Sequence, residues 1–215
     1  NDLGKLHYAI TTASPEAQKF FDQGLRLAYG FNHGEAVRAF RKARTLDPDC
    51  AMCFWGEALV LGPNINAPMD PTAIGPAFEA ATKSKAVANN ESAKEKALID
   101  ALLARYSKDE KADRATLDKA YAAALESEAA RYPEDEDIAL LFVESLMDLQ
   151  PWDYWNALGT ETKGRTAEMM SLVEKVLVSD AAINQLHIEI DDRCFKLLAL
   201  HQPMAVDLRA IVSAV

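Results

Sequence analysis

From Phe20 onward, apolar and small residues recur three and four positions apart in blocks, and each block closes on a proline or glycine. That period is the signature of amphipathic helices packed through one face. Ser14 as N-cap with Pro15 in the first turn opens a helix that runs to about Tyr29. Residues 30–34 turn the chain, and a second helix spans about Glu35 to Leu46, ending at Asp47-Pro48-Asp49. Asp49 is placed to cap a third helix carrying Cys50, Cys53, Phe54, Ala58 and Leu61. Residues 62–75 hold three prolines, so the pattern predicts a long inserted loop there. Helices follow over about 76–88, 92–106, 115–132 and 138–149, with Pro133 and Pro151 as breaks. A connector Pro-Trp-Asp-Tyr-Trp (151–155) leads to a helix over about 166–178, whose Met170, Val173, Val176 and Leu177 form its buried side. No hairpin strand signal is present, so the fold class read from the pattern is all-α.

The spacing inside the first two helices is more specific. Phe20, Gly24, Leu27, Ala36, Phe40, Ala43 and Pro48 fall where a helix–turn–helix repeat of about 34 residues requires its large, small and breaking residues. Gly24 and Ala36 are expected to face each other where the two helices approach closely. Phe54, Ala58 and Leu61 repeat the large-small-large order of Phe20, Gly24 and Leu27. The segment resembles a tetratricopeptide repeat (TPR), which implies an α-α superhelix of antiparallel hairpins and a binding surface rather than an active site. The run from Leu3 to His7, residues 47–56 (DPDCAMCFWG), residues 62–66 (GPNIN), residues 152–155 (WDYW) and residues 164–168 (GRTAE) together resemble a group of bacterial TPR proteins that are often exported.

From Asp180 the character changes. Residues 180–194 and 197–212, above all Gln202-Pro-Met-Ala-Val-Asp-Leu-Arg209, resemble the PhoU family of phosphate-uptake regulators, which implies two helices of a helical bundle. Ile183, Leu186, Ile190, Cys194 and Leu197 make one apolar stripe, and Met204, Leu208, Ile211, Val212 and Val215 another. The acidic ExxxD motif by which that family binds metal is absent from this stretch, so no metal role is expected. The expected organisation is an N-terminal arm (1–13), a TPR-like repeat domain (14–178) and a partial PhoU-like segment (179–215) that supplies a C-terminal helix pair.

Composition narrows the functions. With 49% apolar residues in 215, the chain can bury a substantial core. A formal charge of −10 repels nucleic-acid phosphates and anionic lipid. No stretch reaches the length of a membrane span. Compartment follows the resemblances, exported for the repeat group and cytoplasmic for the PhoU-like segment, and both stay open.

Candidate chemistry is sparse. Cys50-Ala-Met-Cys53 at a helix start is a possible redox pair, since a helix N-terminus lowers a thiol pKa; the alternatives are small buried residues at a repeat boundary or a local disulfide. Zinc would require two further ligands, and His7, His33, His187 and His201 are scattered. No nucleophile elbow, metalloprotease motif or phosphate loop occurs, so no catalytic residue, metal or cofactor is expected. The inserted loop, with Asn64, Ile65, Asn66 and Met69, is a candidate partner-binding element, because long ordered insertions tend to carry function. Trp152, Tyr154 and Trp155 are either interface anchors or aromatics folded back into a groove. Arg26, Tyr29 and Asn32 could line a concave face. The function expected is non-catalytic binding of a protein or peptide, with phosphate-uptake control or thiol redox chemistry as alternatives.

Overall fold

The computed structural model describes residues 4–109 and 111–179. Eight α-helices occur among them: α1 Pro15–Tyr29, α2 His33–Leu46, α3 Ala51–Leu61, α4 Ile74–Val87, α5 Ala93–Leu103, α6 Arg114–Arg131, α7 Glu136–Leu149 and α8 Thr166–Ser179. A single 3-10 turn, Pro71–Ala73, precedes α4. The described residues contain two isolated β-bridges, Asn64 with Ala67 and Trp155 with Thr162, but no strand. The fold is all-α. Contacts divide the chain into two units, Asn1–Ala167 and Glu168–Val215.

Helix starts follow capping chemistry closely. Ser14 accepts a hydrogen bond from Ala17 N, Asp113 from Thr116 N, and Asp135 from Ile138 N. Ser92 and Glu95 form a reciprocal capping box at α5. Two expectations shift here. His33, assigned to the turn, begins α2 behind an Asn32 cap. Cys50 rather than Asp49 caps α3, its sulfur accepting from Cys53 N at 3.1 Å. Asp47 is oriented instead toward the chain before α1, accepting from Ala13 N at 3.0 Å.

In the first unit α1 packs on α2 and α3, α2 on α3, and α3 on both α4 and α5. The chain continues through α4–α5, α5–α6 and α6–α7 contacts. α3 is the most deeply enclosed helix. Ala51 through Ala58 are all buried, including Glu57, which is held by Arg41 Nε at 2.7 Å and Arg44 Nε at 2.8 Å. Neighbouring elements fasten to its backbone or indole: Ser84 Oγ donates to Ala51 O (2.8 Å), Tyr106 Oη to Ala58 O (2.5 Å), and Trp55 Nε1 donates to Leu98 O (3.1 Å). Gly24 does meet a crossing helix, but what occupies the space is the Phe40 ring, which also fills the space over Gly56.

In the second unit the described part belongs to α8. Met170 and Leu177, expected on its buried side, are exposed, whereas Met169 is buried and Val173 and Val176 are half-buried. The two apolar stripes expected over 183–215, with His187, Cys194 and His201, lie outside the described residues.

Candidate functional site

The strongest convergence of polar groups is on residues 4–13, the arm before α1. Gln18, Asp22 and Arg26 stand four positions apart on α1, so they form one row along that helix. Each grips the main chain of the arm. Arg26 donates through Nε and Nη2 to Leu6 O at 2.9 and 2.6 Å. Asp22 Oδ1 accepts from Tyr8 N at 3.2 Å, and Asp22 Oδ2 lies 2.8 Å from His7 Nδ1. Gln18 uses both ends of its amide, Nε2 donating to Tyr8 O (2.8 Å) and Oε1 accepting from Ile10 N (3.0 Å). Glu95 of α5 accepts from Thr11 N at 2.6 Å and from its hydroxyl at 2.8 Å. Asp47 completes the row through Thr12 Oγ1 (2.5 Å) and Ala13 N.

One side chain of the arm is buried. Tyr8 lines a small, mostly apolar cavity together with Phe21, Leu25, Trp55, Leu98 and Leu141, with Asp137 also at its wall, so that α1, α3, α5 and α7 all contribute to it. Its ring centroid lies 6.2 Å from that of Phe21, and Lys94 Nζ stands 4.7 Å from it on a cation–π path. Burial drives the Tyr8 phenol up to about 12, with Lys94 opposing the rise. Burial pulls the Lys94 ammonium down, but its bond to Asp135 (2.9 Å), the charge of that carboxylate and the Tyr8 phenol together outweigh this and hold it at about 12. Burial also favours the neutral acid at Glu95 and Asp47, yet the hydrogen bonds they accept prevail and both carboxyls lie below their ordinary values. The pocket is small, apolar at its base and ringed by acceptors, an arrangement suited to holding an extended chain. Nothing in it aligns a nucleophile with a base.

A second polar cluster is structural. Arg105, nearly sealed from solvent, reaches Asp148 Oδ2 at 2.5 Å and Asp118 Oδ1 at 3.1 Å, with the Tyr121 ring 4.8 Å beneath its guanidinium. Arg114 Nη2 joins Asp118 at 3.0 Å. Burial raises Asp148 to about 7 despite Arg105, and Glu144 adds to the rise. The cluster ties the end of α5 to α6 and α7.

The residues singled out from sequence are not gathered into one place. Asn64 and Ala67 exchange main-chain hydrogen bonds at 3.0 and 3.1 Å, closing a tight turn over Ile65 and Asn66. Asn64 Nδ2 lies 3.3 Å from His33 Nδ1, and Arg114 Nη1 reaches Met69 Sδ at 3.5 Å, so this loop is anchored at both ends. Trp152 is 69% exposed with φ 60°, and Trp155 is 44% exposed. Tyr154 is half-buried and donates to Met147 O at 3.4 Å. Of the concave-face candidates, Asn32 caps α2, Arg26 holds Leu6, and Tyr29 borders the Tyr8 pocket. Cys50 and Cys53 are joined in a disulfide, both buried against Ala17 and Ala43 with Ile10 and Phe20 alongside. A redox centre requires an accessible sulfur, so this burial argues for a cross-link. Among the described residues no group of three or more His, Cys, Asp or Glu side chains could hold a metal, and no helix is long and apolar enough to cross a membrane. Sequence reasoning left the arm as irregular chain; the row of Gln18, Asp22 and Arg26 was the available signal.

Comparison with known proteins bears on the other end of the chain. Residues 167–215 match the PhoU domain family. The "Phosphate-specific transport system accessory protein PhoU homolog" of Aquifex aeolicus (strain VF5) is 36% identical over 56 residues, 26% of this chain and 25% of that protein. The chain therefore spans about a quarter of the length of this curated relative. No solved structure matches it. The similarity begins inside α8, ahead of the Asp180 at which the motif becomes readable by eye, and coincides with the start of the second unit.

Proposed function

We propose that the chain is a non-catalytic regulator of phosphate uptake, in which the segment from residue 167 is the PhoU-like part and the helices before it recruit a protein partner. The observation that carries this reading is the match over 167–215, together with a relative whose name places it in phosphate-specific transport. The junction is put at Ala167–Glu168, where the two units meet in sequence. For the first unit the reading is a TPR-like superhelix. In support, α1–α2 and α3–α4 pack as successive helix pairs, α1, α3 and α5 touch in series, and Phe40 of one hairpin fills the space over Gly24 and Gly56. Its binding face is the cradle around residues 4–13, with the 64–69 turn and Trp152, Tyr154 and Trp155 as outlying contact points.

Uptake of radiolabelled phosphate in the bacterium that carries the gene tests this directly. Removing the chain should change the uptake rate under plentiful phosphate, restoring it should reverse the change, and restoring it with Arg209→Glu should not. Uptake indifferent to all three would remove the phosphate reading.

A further inference from the structure

We infer that residues 4–13 act as a built-in competitor for their own cradle, which on their release takes an extended segment of another protein with a tyrosine at its centre. This rests on the reading of the first unit as a peptide-binding array. Three observations lead to it. The arm is held through its main chain: Leu6 O, Tyr8 N and O, Ile10 N, Thr11 N and Ala13 N each meet a side chain of Gln18, Asp22, Arg26, Asp47 or Glu95. Contacts of that kind can be remade by any chain with the same extended backbone.

The second observation is how little the arm itself buries. Tyr8 is enclosed and Ile10 and Thr12 are half-buried, while Gly4, Lys5, Leu6, His7, Ala9, Thr11 and Ala13 are exposed. Tyr8 is its one enclosed anchor, Ile10 adds a half-buried contact two positions on, and the rest of the hold is the row of hydrogen bonds. The third is charge. Asp22, Asp47 and Glu95 present acceptors along the cradle, and the arm brings Lys5 and His7 just ahead of Tyr8, with His7 against Asp22. The matching partner is an extended segment with a basic residue shortly before its tyrosine, an aliphatic residue two positions after it, where Ile10 lies beside the Cys50–Cys53 cross-link, and then a hydroxyl residue for Glu95. A tethered competitor is present at an effective concentration near millimolar. An outside segment therefore gains access only when the arm is loosened.

The test uses the full chain and a fluorescein-labelled peptide of residues 4–13, read by anisotropy. The arm of the chain is weakened by Tyr8→Ala with Ile10→Pro, which remove the anchor and the N–H held by Gln18 but leave every cradle residue in place. Binding should be at least about tenfold tighter to this variant than to the natural chain. A peptide with its tyrosine replaced by alanine should lose at least about tenfold on the same variant. Equal binding to both proteins would overturn the competitor while leaving peptide recognition standing, and no binding to a variant that keeps its helical circular dichroism would overturn the cradle as a site. If the variant loses that signal, the natural chain is used with millimolar unlabelled peptide: faster amide exchange at Tyr8 and Thr11 supports displacement, and unchanged exchange refutes it. Phosphate uptake that still responds to the chain after a negative result isolates the failure to this inference.

Discussion

A Cβ placed on Gly24 would lie 2.7 Å from the Phe40 ring, closer than van der Waals contact permits, and a Cβ on Gly56 would meet the same ring. Phe40 is fully buried, so its ring cannot swing into solvent. Gly24→Ala would ordinarily add about 1 kcal/mol of helix propensity. Overpacking in a filled core costs about 1–3 kcal/mol, so the net expectation is a loss of up to about 2 kcal/mol in urea unfolding. Gly24→Ala with Phe40→Leu should recover part of the loss of Gly24→Ala measured against Phe40→Leu alone. Strict additivity would show that the two residues do not share this space.

The carboxyl of Asp148, raised to about 7 by burial and by Glu144 against the pull of Arg105, makes stability depend on pH. A carboxyl whose folded pKa lies above its unfolded value binds its proton more readily in the native state. Its contribution is complete below the unfolded value of about 4 and is lost as pH rises through about 7. The natural chain should lose on the order of 1 kcal/mol between about pH 5.5 and about pH 8 from this group. Asp148→Asn keeps an acceptor for Arg105 and carries no charge, so its stability should fall less across the same range. An Asn variant with an undiminished slope would assign the effect to other groups.

The helices were largely legible because their signals are local. Ser14 and Pro15, Pro48, and Pro133 act on the turn in which they sit. The misplaced cap is instructive: Asp49 has the better capping side chain, but Asp47 and Cys50 occupy the positions that matter, one turned toward Thr12 and the other already tied to Cys53. The cradle was much less legible. Thr11 and Glu95 are 84 positions apart, and Arg105 and Asp148 are 43 apart, so no local period connects them. Tyr8 in isolation reads as any aromatic in a coil. The PhoU-like segment stood out for the opposite reason, as a continuous run of distinctive residues.

Acid should release the arm before it unfolds the helices. Glu95 and Asp47 both have carboxyls below their ordinary values of 4.5 and 3.8, held there by hydrogen bonds from Thr11, Ser92, Thr12 and Ala13 against the effect of burial. A depressed carboxyl contributes fully above its unfolded pKa and loses that contribution as pH falls through the folded one. Amide exchange at Thr11 and Ala13, corrected for the intrinsic pH dependence, should therefore be protected above about pH 5 and lose protection below about pH 4. Glu95→Gln should weaken protection at Thr11 even at neutral pH. Protection that persists unchanged to acid would mean these bonds do not hold the arm.

The Cys50–Cys53 bond closes a loop of very few residues, so its entropic effect on the unfolded chain is about 2 kcal/mol, small for a disulfide. Cys50 also caps α3, and both sulfurs are buried. Cys53→Ser should cost about 2–4 kcal/mol, from the lost cross-link and a polar group in an apolar site. Reduction by an external thiol should follow local opening rather than thiol concentration once the reagent is abundant. Alkylation of intact cells followed by mass measurement reports the bond in place: a chain carrying two alkyl groups at these cysteines indicates a reducing compartment, and an unmodified pair an oxidising one.

Trp152 occupies the left-handed region, with φ at 60°, where a side chain bearing Cβ costs about 1 kcal/mol and glycine does not. Its indole is mostly in solvent, so little packing opposes a change. Trp152→Gly relieves the backbone but enlarges the freedom of the unfolded chain, and the two effects nearly cancel. Unfolding should therefore shift by no more than about 0.5 kcal/mol in either direction. Trp152→Ala keeps the strain, adds no unfolded-state freedom and loses only a mostly exposed indole, so it should also lie within about 0.5 kcal/mol of the natural chain. With stability so little changed, loss of partner capture by Trp152→Gly would identify the exposed indole as a contact point. A cost above about 2 kcal/mol would instead mean that Trp152 packs far more tightly than its exposure implies.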